Sequence, residues 1–262
     1  MKKPLYCLAV VAAMASMLFI TVPLFASDTD DRIEASAQKT YVFKTYLKND
    51  DIKIKSEDGL VTLTGTVREA SHKSLAGETV AGLPGVKGVD NKLEEKSDRP
   101  DEKSDAWLIA KVKTTLLFHR HVSTTGTEVL ADKGTITLRG KAPSLAQKDL
   151  TTEYAKDVEG VKNVNNEMTV SEAGAATSGV QKVAAKTNTV VEAIDDVSIT
   201  ALVKTSLLYH RSTSAINTKV ETNNGVVTLE GIAKTSAEKD LAGKYTSDVD
   251  GVTKVNNNIV VE

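Results

Sequence analysis

The sequence predicts an α+β protein made of three tandem αββαβ modules, each a three-stranded mixed sheet with two helices on one face. Three observations carry that prediction. Glycines recur in pairs 26 residues apart, as Gly59/Gly85, Gly134/Gly160 and Gly225/Gly251, and a register held three times marks a repeated unit. Asp58-Gly59 and Asn224-Gly225, with Lys133-Gly134 between them, sit amid alternating apolar and threonine residues, the signature of tight hairpins. Apolar residues spaced by four flank each hairpin on both sides, as amphipathic helices require.

The elements follow in order. The first helix of unit 2 covers 105–119, with Leu108, Val112 and Leu116 on one face and Asp105 as N-cap. Ile199, Val203 and Leu207 repeat the stripe after Asp196, and in unit 1 Phe43 and Leu47 take its last two positions. In the second hairpin strand Val61/Leu63, Ile136/Leu138 and Val227/Leu229 alternate with polar residues. One sheet face is therefore buried, and the threonine-rich face meets water or a neighbouring helix. Gly65, Gly140 and Gly231 end that strand at a bulge or a close backbone approach. The second helix carries Leu75/Thr79/Leu83, Leu150/Tyr154/Val158 and Leu241/Tyr245/Val249 as one stripe. Ser144 and Thr235 are its N-caps, and it stops at the second glycine of each pair in a left-handed C-cap. A last strand (Val86/Val89/Leu93, Val161/Val164/Met168, Val252/Val255/Ile259) closes each unit through a crossover.

The predicted boundaries are a signal peptide at 1–26, module 1 at 28–95, a charged linker at 96–104, module 2 at 105–171, a partly helical linker at 172–195 and module 3 at 196–262. Met1-Lys2-Lys3, an apolar run from Leu5 to Phe25 and the small Ala26 describe a secretory signal, with cleavage near Ala26. A retained anchor is the rival reading, because the run approaches a bilayer span; the acidic segment that follows favours cleavage. Cys7, the only cysteine, lies ahead of the expected cleavage at Ala26, so the mature chain holds no thiol for disulfides, catalysis or metal. Export without disulfides fits a periplasm. Without Lys2 and Lys3, 31 basic residues face 35 acidic ones. No basic excess remains to neutralise a phosphate polymer, so nucleic acid is not an expected partner.

The hairpin glycine followed by Val-Thr-Leu-x-Gly (Ile-Thr-Leu in unit 2), and twenty residues later Gly-Val-x-x-Val-x-Asn, resembles the BON domain over nearly the whole mature chain. The resemblance implies an αββαβ sandwich, an envelope location, no catalysis, and attachment to phospholipid or envelope proteins. It supplies no signature ligand residues. The function expected from it is non-enzymatic stress protection in the periplasm, under osmotic stress, through binding of phospholipid or envelope surfaces. The alternative is a chaperone or scaffold for unfolded or outer-membrane proteins. No cofactor is implied, and the oligomeric state stays open.

Units 2 and 3 resemble each other more than either resembles unit 1: Leu-Leu-Phe-His-Arg120 matches Leu-Leu-Tyr-His-Arg211. Leu116 to Gly134 and Leu207 to Gly225 span 18 residues, whereas Leu47 to Gly59 spans 12, which predicts a shorter first helix end in unit 1 and a terminal-cap role. The candidate contact residues are Trp107, Phe118, His119, Arg120, Tyr209, His210 and Arg211. An aromatic beside an arginine suits a lipid interface and headgroup phosphate; the competing reading is an aromatic that caps the core beside a solvated polar pair. Trp107 is either a partly exposed contact or packing against a neighbouring unit. His119-Arg120-His121 lacks a third ligand, and Ser212 replaces the second histidine in unit 3, so no metal site is assigned. No Gly-x-Ser-x-Gly, His-Glu-x-x-His or phosphate loop occurs, and an enzyme is not expected.

Overall fold

The computed structural model describes residues 24–96, 104–122, 126–170, 194–213 and 217–262. Unit 1 comprises α1 (Leu24–Lys39), α2 (Tyr41–Thr45), β1 (Asp51–Glu57), β2 (Leu60–Val67), α3 (Ala70–Ala81), β3 (Gly88–Asn91) and β4 (Glu94–Glu95). Unit 2 runs α4 (Asp105–Leu117), β5 (Glu128–Asp132), β6 (Thr135–Arg139), β7 (Lys141–Ala142), α5 (Leu145–Lys156), β8 (Asn163–Asn166) and β9 (Thr169–Val170). Unit 3 runs α6 (Asp196–Tyr209), β10 (Asn217–Asn223), β11 (Val226–Ala233), α7 (Ser236–Ser247), β12 (Lys254–Asn257) and β13 (Val260–Val261). Most of the apolar run, 1–23, and most of the partly helical linker, 171–193, lie outside the described residues.

Each sheet is mixed. The central strand pairs antiparallel with its hairpin partner and parallel with the last strand, giving orders β1-β2-β3, β5-β6-β8 and β10-β11-β12. The last strand is broken once in every unit by an asparagine. Asn91, Asn166 and Asn257 donate from Nδ2 to the carbonyls of Lys73, Lys148 and Lys239, 2.7–2.9 Å away on the second helix. Their Oδ1 atoms accept from the backbone N–H two residues on. This asparagine ties strand to helix and satisfies the backbone at the break.

Inward side chains of the central strand (Val61, Leu63; Ile136, Leu138; Val227, Leu229) and the first-helix stripes are buried together. Gly140 interrupts the strand between β6 and β7: its φ is +136°, and a Cβ there would lie 2.1 Å from the Gly126 carbonyl oxygen. Gly65 and Gly231 meet the same obstruction at the Asp51 and Asn217 carbonyls, but β2 and β11 run on through them to Val67 and Ala233, so the expected strand end is not found in units 1 and 3. The close backbone approach, one of the two readings, is therefore present.

Four sequence expectations need correction. The N-caps are Ser104 and Asp195, whose side chains accept from Trp107 N and Ser198 N. Asp105 and Asp196 instead accept from both backbone N–H groups of the hairpin turn, at Lys133/Gly134 and Asn224/Gly225, and Asp30 does the same for Asp58/Gly59. This anchor spans 29 residues in all three units, so unit 1 is not shortened. Its first-helix stripe is Ile33 and Ala37, not Phe43 and Leu47, and the helix breaks at Thr40, whose hydroxyl caps α2. The second helices end at Ala81, Lys156 and Ser247, before Gly85, Gly160 and Gly251. The caps are Gly82, Asp157 and Asp248; the later glycines take φ of +92°, +93° and +86° in the turn beyond.

The units pack against one another through helices. α6 buries two faces: Ile199, Val203 and Leu207 lie in the apolar core, while Ser198, Ala201, Leu202 and Thr205 are covered as well. α3 of unit 1 lies against it, Tyr41 N and Val42 N donate to Asp195 and Ser198, and Lys204 pairs with Glu78 at 2.8 Å. Unit 1 meets unit 2 where Tyr46 packs on Phe118, ring centroids 6.0 Å apart, and where the Thr114 hydroxyl donates to Glu69.

Candidate functional site

The segments after α4 and α6 cross each other and bring together matched side chains of units 2 and 3. His119 and His210 are almost fully buried, with their Nε2 atoms 2.8 Å apart. Each ring stacks on the tyrosine of its own unit, His119 on Tyr154 and His210 on Tyr245, both with centroids 3.9 Å apart. Each tyrosine hydroxyl donates across to the other unit's helix cap: Tyr154 to Asp248 Oδ2 at 2.7 Å and Tyr245 to Asp157 Oδ2 at 2.8 Å. The same carboxylate oxygens lie 3.4 Å from the His119 and His210 Nδ1 atoms, a distance of ion pairing and not of an aligned hydrogen bond.

The backbone repeats the exchange. Arg120 N donates to Asp248 O and Arg211 N to Asp157 O, at 2.9 and 2.8 Å, and two short bridges join His119 to Val249 and Val158 to His210. These histidine, tyrosine and backbone contacts occur in pairs with the units exchanged, as in a two-fold symmetric interface. The Arg120 guanidinium donates to the carbonyls of Ser247 and Val252, and that of Arg211 to Lys156 O. Ser247 and Lys156 end their helices, so each cation sits at the negative pole of the opposite unit's helix.

Asp157 and Asp248 also sit at helix C-termini, where a carboxylate opposes the macrodipole. What holds them there is their donors. Burial alone would raise the Asp157 carboxyl, but polar contacts from His210, Ser212 and Tyr245 outweigh it and the net direction is down. Asp248 is likewise lowered overall, its burial offset by His119, Tyr154 and His121. Burial, with the nearby carboxylates, pushes both tyrosine hydroxyls well above their ordinary value. Burial brings His210 down to about 4, against the pull of Asp157.

The candidate contact residues therefore divide. Phe118, His119 and His210 do not line an exposed loop; they are interior, because the loop closes on the neighbouring unit. Arg120 and Arg211 are exposed but engaged at the same seam. Trp107 and Tyr209 are half-buried and meet elsewhere, in a groove of about 520 Å³ where the three units join. Ala110 and Leu208 extend its apolar floor, and Arg68, Lys96 and Lys111 stand at its rim with Glu69 and Glu95. Lys111 Nζ lies 4.6 Å from the Trp107 ring centre, and burial pushes the Tyr209 hydroxyl up to about 12. Trp107 is thus partly exposed and stands at the junction of the units. Asp157 and Asp248 were missed in the sequence, although Tyr154-Ala-Lys-Asp157 and Tyr245-Thr-Ser-Asp248 recur at one register where unit 1 has Thr79 and Gly82.

The family model described as the BON domain matches residues 29–97, 104–172 and 195–262. The chain belongs to the BON family. Among curated relatives, this BON protein is 32% identical over 155 residues to the "Osmotically-inducible protein Y" of Escherichia coli, covering 59% of this chain and 71% of that one. It is 31% identical to the "21 kDa hemolysin" of Actinobacillus pleuropneumoniae, over 43% of this chain and 59% of the relative. It is 32% identical to the "Outer membrane lipoprotein DolP" of Haemophilus influenzae, over 44% of this chain and 64% of the relative. The printed names of two of these relatives refer to osmotic induction and to the outer membrane. Among the described residues no group of three or more metal-ligating side chains is assembled, and no helix is long and apolar enough to cross a membrane.

Proposed function

We propose that this BON protein is a periplasmic, non-enzymatic stress-protection protein that binds anionic phospholipid surfaces through the groove at the junction of its three units. The observation that supports this reading is the groove itself. Trp107, Leu208 and Tyr209 offer an apolar and aromatic lining, and Arg68, Lys96 and Lys111 add cations to it, Lys111 while also paired with Glu159 at 3.2 Å. Aromatic rings at the interfacial depth with basic residues at headgroup level are what an anionic bilayer surface selects. The Glu69 carboxylate accepts from the Thr114 and Ser71 hydroxyls, which turns part of the opposing charge inward.

The test is co-sedimentation of the mature chain with vesicles of anionic and of zwitterionic lipid at two salt concentrations. Binding to the anionic vesicles alone, weakened by salt, is expected. Each cation near such a surface contributes about 1 kcal/mol, so Arg68→Glu with Lys111→Glu lowers affinity at least tenfold. Unchanged binding by that variant would remove the groove from the proposal.

A second reading, a chaperone or scaffold for unfolded envelope proteins, is favoured by one observation. Ile232 and Val260 pair across β11 and β13, and both are exposed, as is the adjacent Val261. Suppression of client aggregation without lipid, lost in Ile232→Lys, would support it over the first.

A further inference from the structure

Of the features not absorbed by that reading, the histidine pair carries most. Two imidazole nitrogens 2.8 Å apart can share one proton, one ring donating and the other accepting. They cannot both be bare, since two lone pairs would then face each other; nor can both carry a proton, since two donors would then oppose each other. The rings cannot turn away, because each is held flat against its tyrosine.

The charged and titratable groups around the pair come from four chain segments. His121 and Arg120 follow α4; Glu153, Tyr154 and Asp157 belong to the end of α5; Arg211 follows α6; Tyr245, Asp248 and Asp250 belong to the end of α7. Asp157 and Asp248 favour a charge on the rings, but they act on Nδ1 from 3.4 Å, farther than the 2.8 Å that separates the Nε2 atoms. Both Nδ1 atoms lie without an aligned hydrogen bond, so the carboxylates do not compensate a second proton.

We propose that the His119–His210 pair binds one proton and not two, so that acidification parts unit 2 from unit 3 while each unit stays folded. The sign follows from the direction of the His210 shift. A ring held down to about 4 in the closed pair and free at its ordinary 6.5 in the open one stabilises closure fully above pH 6.5. That stabilisation is lost as pH falls towards 4. Parting would expose the Tyr154 and Tyr245 rings together with Val158 and Val249, now buried. The contact between α3 and α6 contains no histidine apart from His72, which pairs with Asp50 within unit 1, so unit 1 stays on unit 3.

Hydrogen exchange of the full mature chain tests this. The Arg120 and Arg211 amides, which donate across the seam, report opening directly. Their protection, corrected for intrinsic rate, should fall about 20-fold from pH 7 to pH 5 and on the order of 100-fold by pH 4. Amides of Leu138 and Leu229 on the central strands should hold theirs. Protection independent of pH, or lost together with the strands, overturns the proposal. His210→Gln should abolish the pH dependence, and a folded variant that keeps it also overturns the proposal. If that variant fails to fold, imidazole titration of the wild-type chain by NMR decides: His210 titrating well below 6.5 is expected, and His210 at its ordinary value refutes the proposal.

Discussion

Tyr154→Phe isolates one bond of the seam. The substitution keeps the ring stacked on His119 and removes only the hydroxyl that donates to Asp248 Oδ2 at 2.7 Å. Three things set the magnitude. The acceptor is a carboxylate, so the bond is charge-assisted and contributes about 1.5–3 kcal/mol. The site is buried, so water does not replace the lost donor. Asp248 stands at a helix C-cap, where it has no favourable dipole to fall back on. A loss of about 2 kcal/mol follows, in the same range for Tyr245→Phe because the contact is reciprocal.

The sign with pH is fixed too. Asp248 is lowered in the folded chain, so its contribution is present above its ordinary 3.8 and is lost as pH falls through the folded value. The deficit of Tyr154→Phe is therefore full at pH 7 and shrinks in acid. Urea unfolding at pH 7 and at pH 2.5, below the ordinary carboxylate value, with Asp248→Asn as the second arm of a double-mutant cycle, measures it. A deficit under about 0.5 kcal/mol at pH 7, that is, within the range of ordinary surface substitutions, would show that the hydroxyl is not a structural donor.

Asp196→Ala should cost about 2 kcal/mol in urea unfolding, since it strips the acceptor from Asn224 N and Gly225 N at once. No cost beyond about 0.5 kcal/mol for Asp196→Ala would show that the hairpin turn does not depend on that carboxylate. Gly140→Ala should cost more than about 3 kcal/mol, because strain at positive φ adds to a backbone clash at 2.1 Å. Gly126→Ala, with open space around its Cβ, is the control and should stay within about 0.5 kcal/mol.

The module was legible because its signals are local. A turn dipeptide, a strand that alternates and a helix stripe each reside within about a dozen residues, and the three copies average out accidents. Asp105 and Asp196 were misread because a carboxylate one residue inside a helix looks like a cap; only the folded chain shows the hairpin turn 29 residues away. His119 and His210 looked solvated for a similar reason. What buries them is another unit, and no periodicity within one unit encodes that. α6 did carry a trace of its second buried face. Leu202 stands where unit 2 has Lys111, and Ser198 where it has Trp107; those differences between copies mark where copies touch.

The crossed seam between units 2 and 3 has the form of a homodimer written into one chain. Each unit bears both the donor half and the acceptor half, so neither can satisfy itself and each satisfies the other. Tethering makes that encounter intramolecular, so it no longer depends on the bulk concentration of the chain. Individually modest contacts then suffice to keep the seam shut. Cut from its partner, unit 2 would present a face whose complement is another copy of itself.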